Sequence, residues 1–145
     1  MPVYLWPGLF FYIIILGGIV MSYKAESLKL KNWAVIGASD KHDKFGYKIV
    51  KALNDNDYNV FPINPRLDEI DGIKCYNSLN DIDETIDVVD IVVRPEIGKK
   101  IIPEIVDNNI EYIWLQPGTR SDEIDDLTEK FNLKVVKDCI YSTLA

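Results

Sequence analysis

The fold is indicated most clearly by the stretch Trp33-Ala-Val-Ile-Gly-Ala-Ser-Asp-Lys-His-Asp-Lys-Phe-Gly-Tyr47, in which a short apolar run enters a glycine turn and then a helical pattern. It begins like the phosphate loop of a nucleotide-binding fold, but the Gly-x-Gly-x-x-Gly fingerprint of dinucleotide sites is incomplete. Ser39 stands at the second glycine position, and no glycine follows Gly37 before Gly46. The loop therefore predicts a phosphate-bearing ligand that differs from a standard NAD.

Beyond this stretch, short apolar runs alternate with longer segments of helical period. Such alternation is typical of a parallel sheet covered by helices on both faces. We predict an α/β fold of the Rossmann-like, doubly wound type, with a mainly parallel five-stranded sheet. The predicted strands are 33–37, 58–63, 88–93, 112–116 and 134–137, and the predicted helices are 45–56, 97–109 and 122–131.

Two positions refine the predicted helices. Pro103 falls inside the second helical pattern. Because proline is tolerated in a first turn but not in a helix interior, the regular helix is predicted either to begin near Ile102 or to kink at Pro103. Ser121 is the expected N-cap of the third helix, since a serine hydroxyl can accept from the first free N–H groups.

Composition limits the possible classes of function. A chain of 145 residues is long enough for one domain with a substantial core. Its formal net charge of −7 argues against general nucleic-acid binding, which needs clustered Lys and Arg. Two cysteines without Cys-x-x-Cys spacing and a single histidine, His42, indicate neither a zinc site nor a disulfide framework. We expect a reduced, cytoplasmic setting and no bound metal.

Residues 1–20 carry no charged side chain, unlike the rest of the chain. They lack the basic start and the small-residue cleavage site of a signal peptide, and they barely reach the roughly 20 apolar residues of a membrane helix. We expect translation to start at Met21, with the next residues leading directly into the first strand. The alternatives are a membrane anchor, which would leave the body in the cytoplasm, and a hydrophobic arm packed elsewhere. We therefore assign 1–20 as an extension and 30–140 as the domain.

Ligands of such sheets bind beyond the carboxyl ends of the strands, so the residues that follow each predicted strand are the candidates. After the first strand, the small residues Gly37, Ala38 and Ser39 let backbone N–H groups approach a phosphate. The helix that starts near Gly46 adds a favourable field at its N-terminus. The alternative is a tight strand-to-helix turn that holds no ligand.

The residues after the second predicted strand, Asn64-Pro65-Arg66, discriminate between cofactors. An NAD site places an acidic residue there to bind the ribose hydroxyls. A guanidinium favours a ribose with an additional phosphate, as in NADP or coenzyme A, because arginine binds phosphate in bidentate geometry. The alternative is that Arg66 only solvates a surface turn.

The third and fourth predicted strands also end in candidate groups. Pro95 is expected to end the third strand and to hold Arg94 at the sheet edge, where a second phosphate or a carboxylate would lie. The fourth strand is followed by Gln116-Pro117-Gly118, a turn whose amide is expected to face the same crevice. Four successive strand ends with small, amide or guanidinium groups together favour one anionic ligand.

Five blocks of sequence, in this order and spacing, resemble the stand-alone CoA-binding domain proteins. These are small relatives of the CoA-binding domain in the succinyl-CoA synthetase α subunit and in ADP-forming acyl-CoA synthetases. The resemblance covers about residues 30–139. The blocks are Val35-Ile-Gly-Ala-Ser39 with Gly46-Tyr47, Phe61-Pro-Ile-Asn-Pro-Arg66, Val93-Arg-Pro95, Ile113-Trp-Leu-Gln-Pro-Gly118, and Val135-Val136 with Asp138-Cys139.

The resemblance implies a Rossmann-like domain that holds coenzyme A across the strand ends. The glycine-serine loop would contact the nucleotide and its phosphates, Arg66 would lie near the phosphates, and 93–95 would line the nucleotide and the start of the pantetheine arm. The chain departs from the family after Asp138-Cys139, which leaves the contribution of the C-terminal tail open. The cofactor-binding residues predicted from strand ends and resemblance together are Gly37, Ala38, Ser39, Asp40, Lys44, Gly46, Tyr47, Asn64, Pro65, Arg66, Val93, Arg94, Pro95, Gln116 and Gly118.

No catalytic constellation is evident in the sequence. His42 lies in a hydrophilic loop, and Cys139 has no second histidine that could act as its base. The leading hypothesis is a non-catalytic module that binds coenzyme A or acyl-CoA, as a sensor or as the partner of a catalytic chain or of a second copy. The alternatives are an NADP-binding module of an oxidoreductase, and an interaction domain that contacts a membrane only if residues 1–20 are present.

Overall fold

Five strands form one parallel sheet in the computed structural model, which describes residues 22–145. The sheet order is β2-β1-β5-β6-β7, and a separate antiparallel hairpin pairs β3 with β4. The parallel α/β fold and the five predicted strands are confirmed. In chain order the strands are β1 Asn32–Ile36, β2 Asn59–Ile63, β3 Glu69–Ile70, β4 Ile73–Lys74, β5 Val88–Ile91, β6 Tyr112–Leu115 and β7 Lys134–Val136.

Helices cover both faces of this sheet, as the doubly wound prediction requires. On one face, α2 packs beside α5 while α1 contacts β7; on the other, α3 packs beside α4. A 3₁₀ turn, Leu79–Asp81, precedes β5. The helices are α1 Tyr23–Leu28, α2 Phe45–Asp55, α3 Pro95–Asp107, α4 Asp122–Lys130 and α5 Ile140–Leu144.

Alternation along each strand divides the apolar side chains between two cores. In β5, Val89 and Ile91 belong to the core under α3 and α4, whereas Val88 belongs to the core under α2. Trp33 and Trp114 lie in this second core with their rings 5.6 Å apart. Because both faces are covered, most residues of the strands are apolar, which explains why the sequence showed apolar runs rather than strict alternation. Asp90 is the exception in β5, and its side chain has no solvent exposure.

Several predicted boundaries were wrong. The strands end one or two residues earlier than predicted, at Ile36, Ile91, Leu115 and Val136. Pro95 does not end a strand: it is the first residue of α3, where its missing N–H costs nothing and its fixed φ suits the helix. Helix α3 also continues through Pro103, so it does not begin near Ile102.

The residues after Met21 form a helix rather than a direct lead into the first strand. Ser22 caps α1 by accepting the N–H of Ala25 at 3.1 Å. The helix is held on the sheet by Ser27, which is fully buried and accepts the indole N–H of Trp114 at 2.9 Å. The packed unit thus extends beyond 30–140 at both ends, through α1 and α5. Residues 1–20 lie outside the described part of the chain, and within 22–145 no helix is long and apolar enough to cross a membrane.

The β2 edge of the sheet is covered by a neighbouring segment. Tyr76 forms an isolated parallel bridge to Ile63. Its N–H donates to the Pro62 carbonyl at 2.9 Å, and its carbonyl accepts from the Asn64 N–H at 3.0 Å. Pro62 itself provides no N–H on this strand. This segment connects the β3–β4 hairpin to the end of β2, beside the candidate site.

Candidate functional site

A cavity of about 560 Å³ opens at the carboxyl ends of the strands. It lies where parallel α/β sheets hold their ligands, next to the point at which the chain order reverses between β1 and β5. Its size is that of an ordinary small-molecule site. The cavity is lined by Gly37, Ser39, Asp40, Lys41, Lys44, Phe45, Gly46, Asn64, Arg66, Leu67, Val92, Gln116, Pro117 and Cys139.

The loop between β1 and α2 is held close to the sheet by two glycines. Gly37 has φ of +99°, and a Cβ there would lie 2.9 Å from Cγ1 of Val93. A Cβ on Gly46 would overlap the carbonyl oxygen of Gly37. Gly46 therefore allows the first turn of α2 to touch the loop, which is the close-packing role of the last glycine in a dinucleotide fingerprint. The unusual spacing of Gly37 and Gly46 changes the loop between them but keeps the contact between this loop and the first turn of α2.

The same loop presents hydrogen-bond donors to the cavity. The Ser39 hydroxyl accepts the N–H of Lys41 at 3.1 Å, which leaves its own O–H to donate. Helix α2 starts with Phe45, and its N-cap residue, Lys44, makes no side-chain cap. The first N–H groups of a helix have no intrahelical acceptor. Together these groups form a site suited to a phosphate.

Asn64 connects the end of β2 to the loop. Its Nδ2 donates to the Ala38 carbonyl at 2.8 Å, and its Oδ1 accepts the N–H of Arg66 at 2.8 Å. Both ends of the amide are therefore used within the protein. Asn64 fixes the shape of the cavity wall and the position of Arg66, in addition to lining the cavity.

The charges at the cavity are opposite in sign to the charge of the whole chain. Lys41, Lys44 and Arg66 line it, against one lining carboxylate, that of Asp40. The chain as a whole carries −7. All four of these side chains belong to exposed residues. A cationic cavity in an acidic protein favours an anionic ligand of small size, because its attraction acts locally within a screening length of about 8–10 Å.

The opposite wall is formed by Gln116, which is nearly fully buried. Its Nε2 donates to Oδ1 of Asp90, and its Oε1 accepts the backbone N–H of Ile140 at 3.3 Å. Only one orientation of the amide satisfies both partners. The amide thereby joins β5, β6 and the start of α5. Burial raises the pKa of Asp90 to about 8, outweighing the hydrogen bond from Gln116, so this carboxyl group is mostly protonated at neutral pH.

Cys139 lies at the junction of this wall with α5. It is half-buried, lines the cavity and precedes the first residue of α5. Its N–H donates to Oδ1 of Asp138 at 2.7 Å. The hydrogen bond from Lys24, followed by that of the Cys139 N–H, lowers the pKa of the Asp138 carboxyl group. The second thiol, Cys75, is buried away from the cavity, and desolvation, followed by nearby carboxylates, raises its pKa.

Eight of the predicted cofactor-binding residues meet at the cavity. They come from the ends of β1, β2 and β6 rather than from all four predicted strand ends, and they meet because the carboxyl ends of parallel strands share one edge. They are Gly37, Ser39, Asp40, Lys44, Gly46, Asn64, Arg66 and Gln116.

The other predicted residues are not among those that line the cavity. Arg94 is exposed at the N-cap of α3, since the helix begins where the strand was expected to continue. Tyr47 turns away: its hydroxyl donates to Asp71 at 2.5 Å and its ring stacks on His42 at 4.2 Å. The Asp71 carboxylate, as acceptor of this hydrogen bond, raises the pKa of Tyr47. The remaining residues outside the lining are Ala38, Pro65, Val93, Pro95 and Gly118.

Sequence reasoning missed part of the lining. Lys41 shares the loop with predicted residues, and its charge in a phosphate loop was a usable signal. Phe45 and Leu67 carried no such signal, because their apolar side chains have no group that binds phosphate. Asp90 could have been noticed as a polar residue within an apolar run. Within 22–145, no cluster of His, Cys, Asp or Glu is arranged to hold a metal ion.

Comparisons with known proteins identify relatives along most of the chain. A family model described as a CoA binding domain matches residues 31–145. The protein YneT of Bacillus subtilis is 32% identical over 111 residues, with 76% of this chain and 82% of YneT covered. An ADP-forming acetate–CoA ligase of Methanocaldococcus jannaschii is also 32% identical, but the match covers 73% of this chain and 16% of the ligase.

Solved structures agree with this grouping. A conserved hypothetical protein from Pyrococcus furiosus superposes with a TM-score of 0.73 at 34% identity, covering 79% of this chain and 99% of that chain. A hypothetical protein from Pyrococcus horikoshii OT3 gives a TM-score of 0.77 at 28% identity, covering 83% and 85%. The chain is thus similar both to small proteins of its own size and to one part of a larger ligase.

Proposed function

The chain belongs to the CoA-binding domain family, and from this membership we propose that it binds coenzyme A or an acyl-CoA at the carboxyl edge of its sheet, without a reaction of its own. Coenzyme A is an anion with a phosphorylated ribose, a pyrophosphate and a long flexible arm. Its phosphates would contact the β1–α2 loop and Arg66. Its arm would extend along the strand ends towards Gln116 and Cys139.

The observation that carries this proposal is the cationic cavity at the strand ends of an acidic protein. Lys41, Lys44 and Arg66 surround a loop that offers free N–H groups and the Ser39 hydroxyl. A guanidinium rather than a carboxylate follows β2, which favours a phosphorylated ribose over NAD. A cavity of about 560 Å³ whose lining includes both Arg66 and Cys139 has room for a ligand larger than one phosphate group.

The absence of a reaction rests on the chemistry of the lining residues. Among the described residues at the cavity, the Cys139 thiol has no histidine beside it in the lining, and the carboxylate of Asp40 has no acidic partner. His42 stacks on Tyr47 outside the lining. The acetate–CoA ligase matches over a small part of its length, so its reaction is not transferred to this chain. Binding alone fits a sensor, or a module that serves a catalytic chain.

Calorimetric titration of the full chain tests the proposal. Coenzyme A or acetyl-CoA should bind in the micromolar range or tighter, 3′-dephospho-CoA should bind more weakly, and NADP should bind weakly or not at all. Tighter binding of NADP than of any CoA species would overturn the proposal in favour of an oxidoreductase module. Consumption of acetyl-CoA during incubation would overturn the absence of a reaction.

Two arginines predicted from the same reasoning provide a matched pair of variants. Arg66 lines the cavity and Arg94 does not. We expect Arg66→Ala to weaken coenzyme A binding by about tenfold or more, because a charge-assisted hydrogen bond contributes about 1.5–3 kcal/mol. Arg94→Ala should leave the dissociation constant within about twofold, since an exposed charge outside the site contributes little. Equal losses in both variants would place the ligand elsewhere.

A further inference from the structure

Asp90 is a buried carboxyl group that ligand binding does not use directly. It lies in β5 with no solvent exposure and does not line the cavity. Its Oδ1 accepts from Gln116, whereas its Oδ2 has no hydrogen-bond partner in the part of the chain that the structure describes. Burying a carboxyl group with one oxygen unpaired is costly. An apolar side chain at this position would avoid that cost, so a role other than packing is indicated.

The geometry points to Asp90 as a positioning residue for the cavity: through the amide of Gln116 it holds the start of α5, and with it Cys139, as the far wall. This inference rests on the proposed binding of coenzyme A. Asp90 does not line the cavity, and its one side-chain hydrogen bond among the described residues is to Gln116, not to α5. It acts on both through one amide, whose two polar atoms join Asp90 to the N–H of Ile140.

The orientation of the amide explains why an acceptor is needed at position 90. The Ile140 N–H must meet Oε1 of Gln116, and this leaves Nε2 facing Oδ1 of Asp90. If position 90 offered no acceptor, Nε2 of Gln116 would be buried without a partner, and the Ile140 N–H alone would hold the amide. An amide that rotated to find another partner for Nε2 would leave the Ile140 N–H and would release the first turn of α5. Burial raises the pKa of Asp90 to about 8, so the acceptor is present without a buried negative charge at neutral pH.

Helix α5 is short enough for this single contact to matter. It spans five residues, Ile140–Leu144, and its N-cap residue, Cys139, makes no side-chain cap. The Ile140 side chain anchors it in the core under α2. The Gln116 amide is the hydrogen bond that links its first turn to β6, while the Tyr141 ring meets that of Phe45 at 6.1 Å on the α2 side of the cavity. Loss of that hydrogen bond should expose Cys139 and widen the cavity while the sheet remains folded.

The test uses Cys139 as a reporter of wall position. Replacing Cys75 by serine leaves Cys139 as the one thiol in the full chain, and its labelling by a neutral maleimide is followed by intact mass. In this background we compare Asp90→Asn, which keeps a neutral acceptor, with Asp90→Val, which suits a strand but has no acceptor. A thermal unfolding curve for each variant reports whether the domain is folded.

We expect Asp90→Val to label at Cys139 at least about fivefold faster than its parent and to bind coenzyme A about tenfold more weakly, the equivalent of one lost hydrogen bond. Asp90→Asn should stay within about twofold of the parent in both measurements. Equal behaviour of the valine variant and the parent would overturn the inference. The inference would also be overturned if Asp90→Asn labelled as fast and bound coenzyme A as weakly as Asp90→Val. That result would show that the acceptor at position 90 does not hold the wall.

A double-mutant cycle separates positioning through Gln116 from a general loss of packing. Gln116→Met keeps the length of the side chain but removes both polar atoms, and it should raise Cys139 labelling on its own. Adding Asp90→Val to it should produce no further increase, because the connection is already broken. Additive effects would show that Asp90 acts by another route. If Asp90→Val does not fold, Cys139 labelling in Gln116→Met still tests whether the Gln116 amide holds the start of α5.

The labelling measurements do not depend on the ligand. If the parent protein does not bind coenzyme A, the proposed function fails, but faster labelling in Asp90→Val would still support control of the wall by Asp90. If the parent binds coenzyme A and the variants label alike, the proposed function stands and this inference fails.

Discussion

A buried carboxyl group responds to pH in the opposite sense from a carboxyl group held by a cation. The pKa of Asp90 rises from the ordinary value of 3.8 to about 8 in the folded protein, mainly through burial. Folded protein therefore binds a proton that unfolded protein has released between these values. The contribution of this group to stability is fully present below pH 4 and is lost as the pH rises towards 8.

Asp90→Asn should remove this pH dependence. The free energy of unfolding of the variant, minus that of the natural sequence, should increase as the pH rises from about 4 to about 8 and then level off. The increase should be at most about 1.4 kcal/mol per pH unit. Urea unfolding followed by tryptophan fluorescence at several pH values measures it. A difference that is constant across this range would contradict the prediction.

Asp138→Asn is the matched control of opposite sign. The hydrogen bond from Lys24 lowers the pKa of Asp138, so its stabilising effect is present above the ordinary pKa and is lost as the pH falls. From pH 5 to pH 9 the difference between this variant and the natural sequence should therefore be flat. A rising difference for Asp90→Asn beside a flat one for Asp138→Asn would reflect burial of one carboxyl group and a charged partner for the other.

The start of α2 depends on a glycine for packing rather than for backbone freedom. A Cβ at Gly46 would overlap the Gly37 carbonyl, whereas a Cβ at Gly98 in α3 would meet Ile124 at an ordinary 3.5 Å. We expect Gly46→Ala to destabilise the fold by about 1–3 kcal/mol, as overpacking does, and to weaken coenzyme A binding by shifting the loop. Calorimetry and urea unfolding measure the two effects.

Gly98→Ala is the control within a helix. It should be neutral or stabilising by about 0.5–1 kcal/mol, because alanine loses less conformational freedom in a helix and has space here. Its coenzyme A affinity should be unchanged. If Gly46→Ala bound coenzyme A as well as Gly98→Ala did, the contact between α2 and the loop would not shape the site.

Strands and helices could be predicted from the sequence where burial of their side chains leaves a recognisable pattern of apolar residues. The five strands were found because both of their faces are covered, which makes most residues of each run apolar. Helix α1 was missed because six residues are too few for a helical period to emerge. The helix is stabilised instead by long-range contacts such as the one between Ser27 and Trp114. Arg94 was misplaced because a proline after a strand can start a helix as well as end a strand.

The distribution of charge over the whole molecule predicts how its affinity should respond to substitution. Replacing both Lys41 and Lys44 by glutamine should weaken coenzyme A binding by about tenfold or more at low salt, and the loss should shrink at about 0.5 M salt. The same double substitution at Lys100 and Lys130, two exposed lysines outside the cavity lining, changes the net charge equally. Titration calorimetry of this second variant should show a loss of no more than about twofold. Equal losses would mean that net charge, not the cavity, sets the affinity.

The composition alone could not have located this site, since the overall charge is acidic. The resemblance and the strand ends located the glycine loop and Arg66. The far wall was only partly predictable: Gln116 was identified, but its connection to Asp90 and to the start of α5 joins residues distant in sequence. Local patterns do not encode such contacts, because they depend on how β5 and β6 align.

Pro62 and Tyr76 have a consequence for how the protein behaves at high concentration. An open edge strand invites pairing with the edge of another molecule, which is a common route to aggregation. On β2, the proline removes a donor and the main chain of Tyr76 already occupies neighbouring positions. A second molecule would therefore find few free groups with which to continue the sheet there. The segment that pairs with the end of β2 thus also protects the protein against misassembly.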